Sequence, residues 1–215
     1  MKRNLLQRIV HPILQNCAKP EGTVGKLIVK MMNASHEPLA KWGITHLELP
    51  PDAVVIDLGC GGGSNVSAML EICPNGRVTG FDYSTVSVKA SKRKNADAIR
   101  NGRCEIIEGD VGKLPFEDNS FDAATAFETV YFWPEKSFHG VHRILKPGGK
   151  FLIVCEADGS CSGDKIWPKI IDGMKLRSKD NLIMELQQAG FHDIQTDQKS
   201  IMGGSGRWLC VRAEK

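Results

Sequence analysis

The stretch AVVIDLGCGGGSN, residues 53–65, decides the fold. Its first half is a short β-branched run ending in Asp57, the composition of a parallel strand buried on both faces. In its second half, glycines at 59 and 61–63 let the backbone take positive φ and let a ligand approach the main chain closely. Ser64 or Asn65 then caps a helix whose free N–H groups suit a carboxylate or phosphate. A glycine turn between strand and helix also occurs as a plain tight connection in doubly wound sheets, so its meaning depends on what surrounds it.

Outward from this unit, short apolar runs bounded by Gly, Pro, Asn or Asp alternate with segments of helical period. The strands are expected at Ala53–Asp57, Arg77–Asp82, Cys104–Glu108, Phe121–Phe127 and Lys150–Glu156. Helices are expected at Ser64–Ile72, Ser84–Arg100 and Glu135–Leu145, the last stopped by Lys146-Pro147-Gly148-Gly149. A further helix, Lys179–Ala189, precedes two strands, Phe191–Ser200 and Arg207–Ala213. The Gly-rich turn Met202–Gly206 between them predicts an antiparallel pair. Leu27, Ile28, Met31 and Met32 mark a helical region within Gly25–Leu47, interrupted by Pro38, Trp42 and Gly43. The expected architecture is α/β: a doubly wound, mostly parallel seven-stranded sheet with an antiparallel C-terminal hairpin. Residues 1–48 form a helical N-terminal cap or lid, and residues 49–215 form the cofactor-binding domain, as one compact unit.

Three acids follow in register with this alternation. Asp57 ends the first strand, where it would repel a pyrophosphate but suit a cationic amino acid. Asp82, in Gly80-Phe81-Asp82-Tyr83-Ser84, ends the second, where it can take both hydroxyls of a ribose. Asp110 follows the third, in Glu108-Gly109-Asp110-Val111. Together, at the carboxyl edge where open α/β sheets bind ligands, they argue for a nucleoside-bearing cofactor. The spacing Gly59-x-Gly61-x-x-Ser64 departs from the dinucleotide fingerprint, which counts against a nicotinamide-dependent oxidoreductase, the principal rival.

The motifs VVIDLGCGGG (54–63), GFDYS (80–84), GDVGKLPFEDNSFDAATAFETV (109–130) and HRILKPGGKFLIV (142–154) resemble, in order and spacing, the class I S-adenosylmethionine (SAM)-dependent methyltransferases, which have a Rossmann-like fold. The likeness is strongest to the ubiquinone/menaquinone-biosynthesis and small-molecule group. The resemblance implies that Asp57 holds the methionine amino group and that the backbone of Gly59, Cys60 and Gly61 faces the carboxypropyl moiety. It further implies Asp82 on the ribose, Tyr83 beside the adenine, Asp110 on the exocyclic amine and the Val111 backbone on a ring nitrogen. Phe127 and Glu128 would line the pocket near the sulfonium. After the fourth strand the chain has Phe127-Glu128-Thr129-Val130 rather than an Asp/Asn-Pro-Pro-aromatic motif, which argues against methylation of base amines.

Candidate general bases are Glu128, Tyr131 and His139, with His36 as a further one. Tyr131-Phe132-Trp133 is a candidate floor for the acceptor pocket, and Trp42 and Trp167 fall in the two segments that differ most within the family. A catalytically silent SAM-binding subunit is the remaining alternative.

The composition, 41% hydrophobic and 25% charged, is globular, and a net charge of +3 with dispersed Lys and Arg does not point to nucleic acid. Seven scattered cysteines without a CxxC pair are read as reduced cytoplasmic thiols, with no metal site and no thiol trio for arsenic chemistry. Neither a signal peptide nor a membrane span is expected. The expected partner is a small-molecule methyl acceptor, with the chain a monomer or homodimer.

Overall fold

The computed structural model describes residues 5–201 and 206–215. One sheet of seven strands runs in the order β3-β2-β1-β4-β5-β7-β6. The strands are β1 Val54–Leu58, β2 Arg77–Asp82, β3 Cys104–Glu108, β4 Phe121–Phe127, β5 Leu145–Cys155, β6 His192–Ser200 and β7 Arg207–Glu214. The first five pair in parallel, and β7 is antiparallel to both β5 and β6, as the sequence predicts. Of the glycine turn expected before β7, residues 202–205 lie outside the described residues. The strand order reverses between β1 and β4, opening a crevice at the carboxyl ends of the central strands.

Successive residues of each strand point to opposite faces, and helices cover both. On one face α3 (Glu37–Ile44), α4 (Ser64–Ile72) and α5 (Thr85–Lys94) bring Leu39, Val66, Met69 and Val88 against Val55, Val78 and Leu152. On the other, α7 (Ser137–Ile144) and α9 (Lys179–Gln188) bring Phe138, Val141, Leu182 and Leu186 against Ile56, Phe81 and Phe151. Fully burying a Phe or Leu contributes about 1.5–3 kcal/mol. An exposed pair such as Glu37–Lys41 contributes far less, because water screens it. The two apolar layers therefore hold the fold.

Three segments depart from the sequence expectation. The helix expected over Ser84–Arg100 breaks at Asn95 into α5 and α6 (Ala96–Arg100), because the buried Asn95 side chain donates to Gly63 O and Ser91 O. Lys146–Gly149 does not simply stop α7; it opens β5, since Gly148 N donates to Lys215 O and Lys215 N donates to Gly149 O. Before β1 lie α1 (Leu5–Ala18), α2 (Gly22–Ser35) and α3. Of the expected interruptions only Pro38 coincides with a break, occupying the first turn of α3 where its missing N–H is not needed. Trp42 and Gly43 continue α3, with Trp42 packed on Trp208 at 5.8 Å between ring centroids.

One buried charge fixes the loop after β4. Arg177, 3% exposed, pairs with Glu185 at 2.8 Å and donates to Val130 O and to Trp133 O at 2.7 Å. Removing a partner from a buried charged network leaves uncompensated groups, at about 3–5 kcal/mol. Arg177→Ala is therefore expected to lower stability by about that amount in urea unfolding. A loss under about 1 kcal/mol, the range of exposed pairs, would show that Arg177 does not anchor the 130–133 loop.

Candidate active site

A cavity of about 500 Å³ opens over the carboxyl edge of the sheet. Four consecutive strand ends build one wall: Gly59–Gly62 after β1, Asp82 and Tyr83 after β2, Gly109–Val111 after β3, and Phe127–Thr129 at β4. The opposite wall comes from α2 and α3, through Val29, Met32, Asn33, His36, Leu39 and Ile44.

The glycine loop is held in shape by its neighbours. Gly59 N and Cys60 N both donate to Phe81 O, at 2.7 and 3.2 Å, so those two amides are turned toward β2. Gly59 has φ of 78°, and a Cβ there would lie 2.1 Å from Thr129 Oγ1. Gly62 is equally confined: a Cβ would lie 2.1 Å from Asn33 Nδ2 of α2. Gly61 N donates at 2.9 Å to Asp82 Oδ2, while Ser84 N donates at 2.8 Å to Asp82 Oδ1. Burial pushes the Asp82 carboxyl above its usual range against these two stabilising donors. Each oxygen keeps a free lone pair for a diol.

Asp57 is placed differently from the expected direct ligand. It is 1% exposed and does not reach the cavity wall. Its Oδ1 accepts from Thr125 Oγ1 at 2.7 Å, while Oδ2 is buried without a hydrogen-bond partner. Burial pushes its pKa up to about 7. An orphaned carboxylate oxygen behind the loop is a source of negative potential for a cation held in front of it.

Tyr83 is 41% exposed at the rim, and its hydroxyl donates to Ala18 O at 2.5 Å. Ser84 Oγ donates to Pro20 O at 2.6 Å, so the α1–α2 junction is clamped to the end of β2. Asp110 lies exposed on the wall, its Oδ1 accepting from Gly112 N, and Val111 beside it is buried.

At the far end of the cavity Glu128 has left-handed backbone, φ 59°, in which a non-glycine residue is strained. Its Oε1 accepts from Glu156 N at 2.5 Å and Tyr131 OH at 3.2 Å. Oε2 has no hydrogen-bond partner among the described residues. Burial first, and the nearby Glu156 carboxylate second, push the Glu128 carboxyl well above its usual range. His36 Nε2 stands 3.7 Å from Glu156 Oε1, and burial holds the imidazole below its ordinary value. His36, Glu128 and Glu156 each offer a ligand atom, all within 4.8 Å of one another. Sequence reading named the first two; Glu156 was invisible because nothing in its local pattern separates it from an ordinary strand end.

Two other expected bases are not on the cavity wall. Tyr131 is 3% exposed, accepts from Ala157 N at 3.2 Å, and reaches the site only by orienting Glu128; burial pushes its phenol well up, away from a basic role. His139 is exposed on α7, because that helix turns Phe138 and Val141 into the core. Phe132 and Trp133 do line the cavity, while Trp42 packs away from it and Trp167 is 38% exposed. All seven cysteines are free.

Residues 56–153 match the family model described as a methyltransferase domain. A sterol 4-C-methyltransferase of Caenorhabditis elegans is 36% identical over 110 residues, 50% of this chain and 32% of the relative. A demethylmenaquinone methyltransferase of Staphylococcus aureus is 30% identical over 149 residues, 68% of this chain and 58% of the relative. The chain thus spans less than two thirds of either relative. In structure it is similar to a Haloferax volcanii chain described as a putative methyltransferase in complex with the Trm112 activator, with TM-score 0.76 and 22% identity over 86% of this chain and 92% of that one. The matched stretch holds the glycine loop and the acids at the ends of β1 and β2, so residues 56–153 form a methyltransferase domain.

Proposed function

We propose that the protein moves a methyl group from SAM to an apolar small-molecule acceptor. The observation that carries this reading is the line of acidic groups, Asp57, Asp82 and Asp110, behind and along a glycine-walled cavity whose other wall carries Val29, Met32, Leu39 and Ile44. Relatives named for a sterol and for demethylmenaquinone agree with an acceptor of that kind. The orphaned Asp57 Oδ2 and the free lone pairs of Asp82 fit a cofactor that joins a cationic amino acid to a ribose.

Bound there, SAM supplies a methyl on a good leaving group, so alignment provides much of the rate. The chain's own residues do the rest. Asp82 accepts the ribose hydroxyls; Tyr83, Asp110 and Val111 hold the adenine; Gly59–Gly61 leave room for the amino-acid end. Phe127, Phe132 and Trp133 exclude water. A cationic sulfonium beside it would favour the Glu128 carboxylate, whose Oε2 then takes the proton that an O–H or C–H acceptor loses, with Tyr131 and the Glu156 amide fixing its orientation. All the residues given these roles lie on one chain.

Incubation with methyl-labelled SAM and a fractionated cell extract is expected to place label in apolar small molecules. Label confined to RNA or protein would overturn the acceptor class. Glu128→Gln should cut turnover by about 10²–10⁴-fold with SAM affinity kept; unchanged turnover would remove its role as base.

The Asp57 pKa gives a second test. Its raised value means the empty folded protein keeps a proton that an ordinary carboxyl releases near pH 4, and stability without cofactor falls as pH rises from there to about 7. A cationic group in front of the loop favours the carboxylate and expels that proton. Calorimetry at about pH 6.5 in buffers of different ionisation enthalpy should register proton release on SAM binding in the wild type and much less in Asp57→Asn. Equal release in both would exclude Asp57 as the linked group.

A further inference from the structure

Among the described residues, the exposed large hydrophobic side chains are Ile13, Val24, Leu27, Met31, Tyr83, Ile166, Trp167 and Met184. Six of these eight lie on three adjoining elements: α1, α2 and the segment formed by the 3₁₀ turn Asp164–Ile166 and α8 (Trp167–Ile170). Gln15 ties α1 to the last segment, its Nε2 donating to Ile170 O at 3.0 Å and its Oε1 accepting from Asp172 N at 2.9 Å, and α1 also packs on α2.

The two sides of α2 are opposite in kind. Its inner side, Val29, Met32 and Asn33, lines the cavity. On its outer side Val24, Leu27 and Met31, spaced by three and four, form one apolar ridge, with Leu27 59% and Met31 58% exposed. Lys26 and Lys30 run alongside, and α2 contains no acid. The same mixture recurs next to Ile166 and Trp167, flanked by Lys165 and Lys169. These four lysines have no ion-pair partner among the described residues.

An apolar ridge edged by unpaired lysines is complementary to a surface that offers acyl chains beneath anionic headgroups. An acidic protein would satisfy the lysines and leave the ridge in water, and a second copy would bring lysine against lysine. We infer that the outer face of α1, α2 and the 164–170 segment docks on an anionic lipid bilayer, laying α2 in the headgroup layer with the cavity on its other side. The docking surface stands on these exposures and charges alone. Its use, passing an apolar acceptor from the bilayer behind α2, rests on the methyltransferase reading. No helix among the described residues is long and apolar enough to cross a membrane.

Co-sedimentation of the full chain with phosphatidylcholine vesicles, with and without phosphatidylglycerol, tests this. Binding to the anionic vesicles is expected to exceed that to phosphatidylcholine alone by at least about tenfold and to weaken with salt. Leu27→Glu/Met31→Glu should abolish it, and Lys26→Glu/Lys30→Glu should remove the preference for anionic lipid. Both pairs are exposed and off the cavity wall, so near-ultraviolet circular dichroism and SAM affinity should match wild type, which separates failure to dock from failure to fold. No binding to either vesicle overturns the inference, as does binding that survives both double variants. A wild-type dimer that dissociates in Leu27→Glu/Met31→Glu overturns it in favour of a second copy. If the wild type docks but binds no SAM, the docking surface stands and the methyltransferase reading falls.

Discussion

Asp82 accepts one N–H from the glycine loop and one from Ser84 at the start of the next turn, and the rest of the site is arranged around that carboxylate. The Gly61 bond holds the loop after β1 against the end of β2, and two further amides, Gly59 and Cys60, converge on Phe81 O. Backbone that would otherwise be free to reshape is thereby fixed around a charge. Asn95 completes the arrangement from behind by donating to Gly63 O. The loop is shaped by its surroundings, and glycine is what allows it to be: a side chain at Gly59 would collide with Thr129, and one at Gly62 with Asn33.

The same economy of space explains the cap. Asn33 reaches the loop because Gly62 leaves room for it, while Ala18 and Pro20 accept hydrogen bonds from Tyr83 and Ser84. The N-terminal helices are therefore attached to the very residues that would bind a nucleoside. Short hydrogen bonds thus tie the α1–α2 junction to the cofactor wall at Tyr83 and Ser84.

How much of this was legible in the sequence follows from the range of each interaction. β2, β3 and β4 could be read to the residue because turn residues set each short run off: Asn75-Gly76 before β2, Asn101-Gly102 before β3 and Asp118-Asn119 before β4. The acids Asp57, Asp82 and Asp110 were legible because each lies at or just past the end of such a run. Asn95 and Gly148 were misread because tertiary bonds decide their conformation: a buried amide reaching Gly63, and the chain terminus at Lys215 pairing across Gly149. In the site, Glu128 was visible from its place after β4. Glu156 and Arg177 were not, since their importance lies in contacts with residues 28 and 44–47 positions away. His139 was read as near the crevice because helical period alone cannot say which side of α7 faces the sheet.

The central claim is that Asp82 and the glycine loop form a nucleoside-sulfonium site. Isothermal titration with S-adenosylhomocysteine, the neutral product of the cofactor, tests it without needing an acceptor. One site per chain is expected, with a loss of at least about tenfold in affinity on Asp82→Ala, since hydrogen bonds to a charged group worth about 1.5–3 kcal/mol are removed. Wild-type affinity in that variant, or tighter binding of NADH than of S-adenosylhomocysteine, would contradict it.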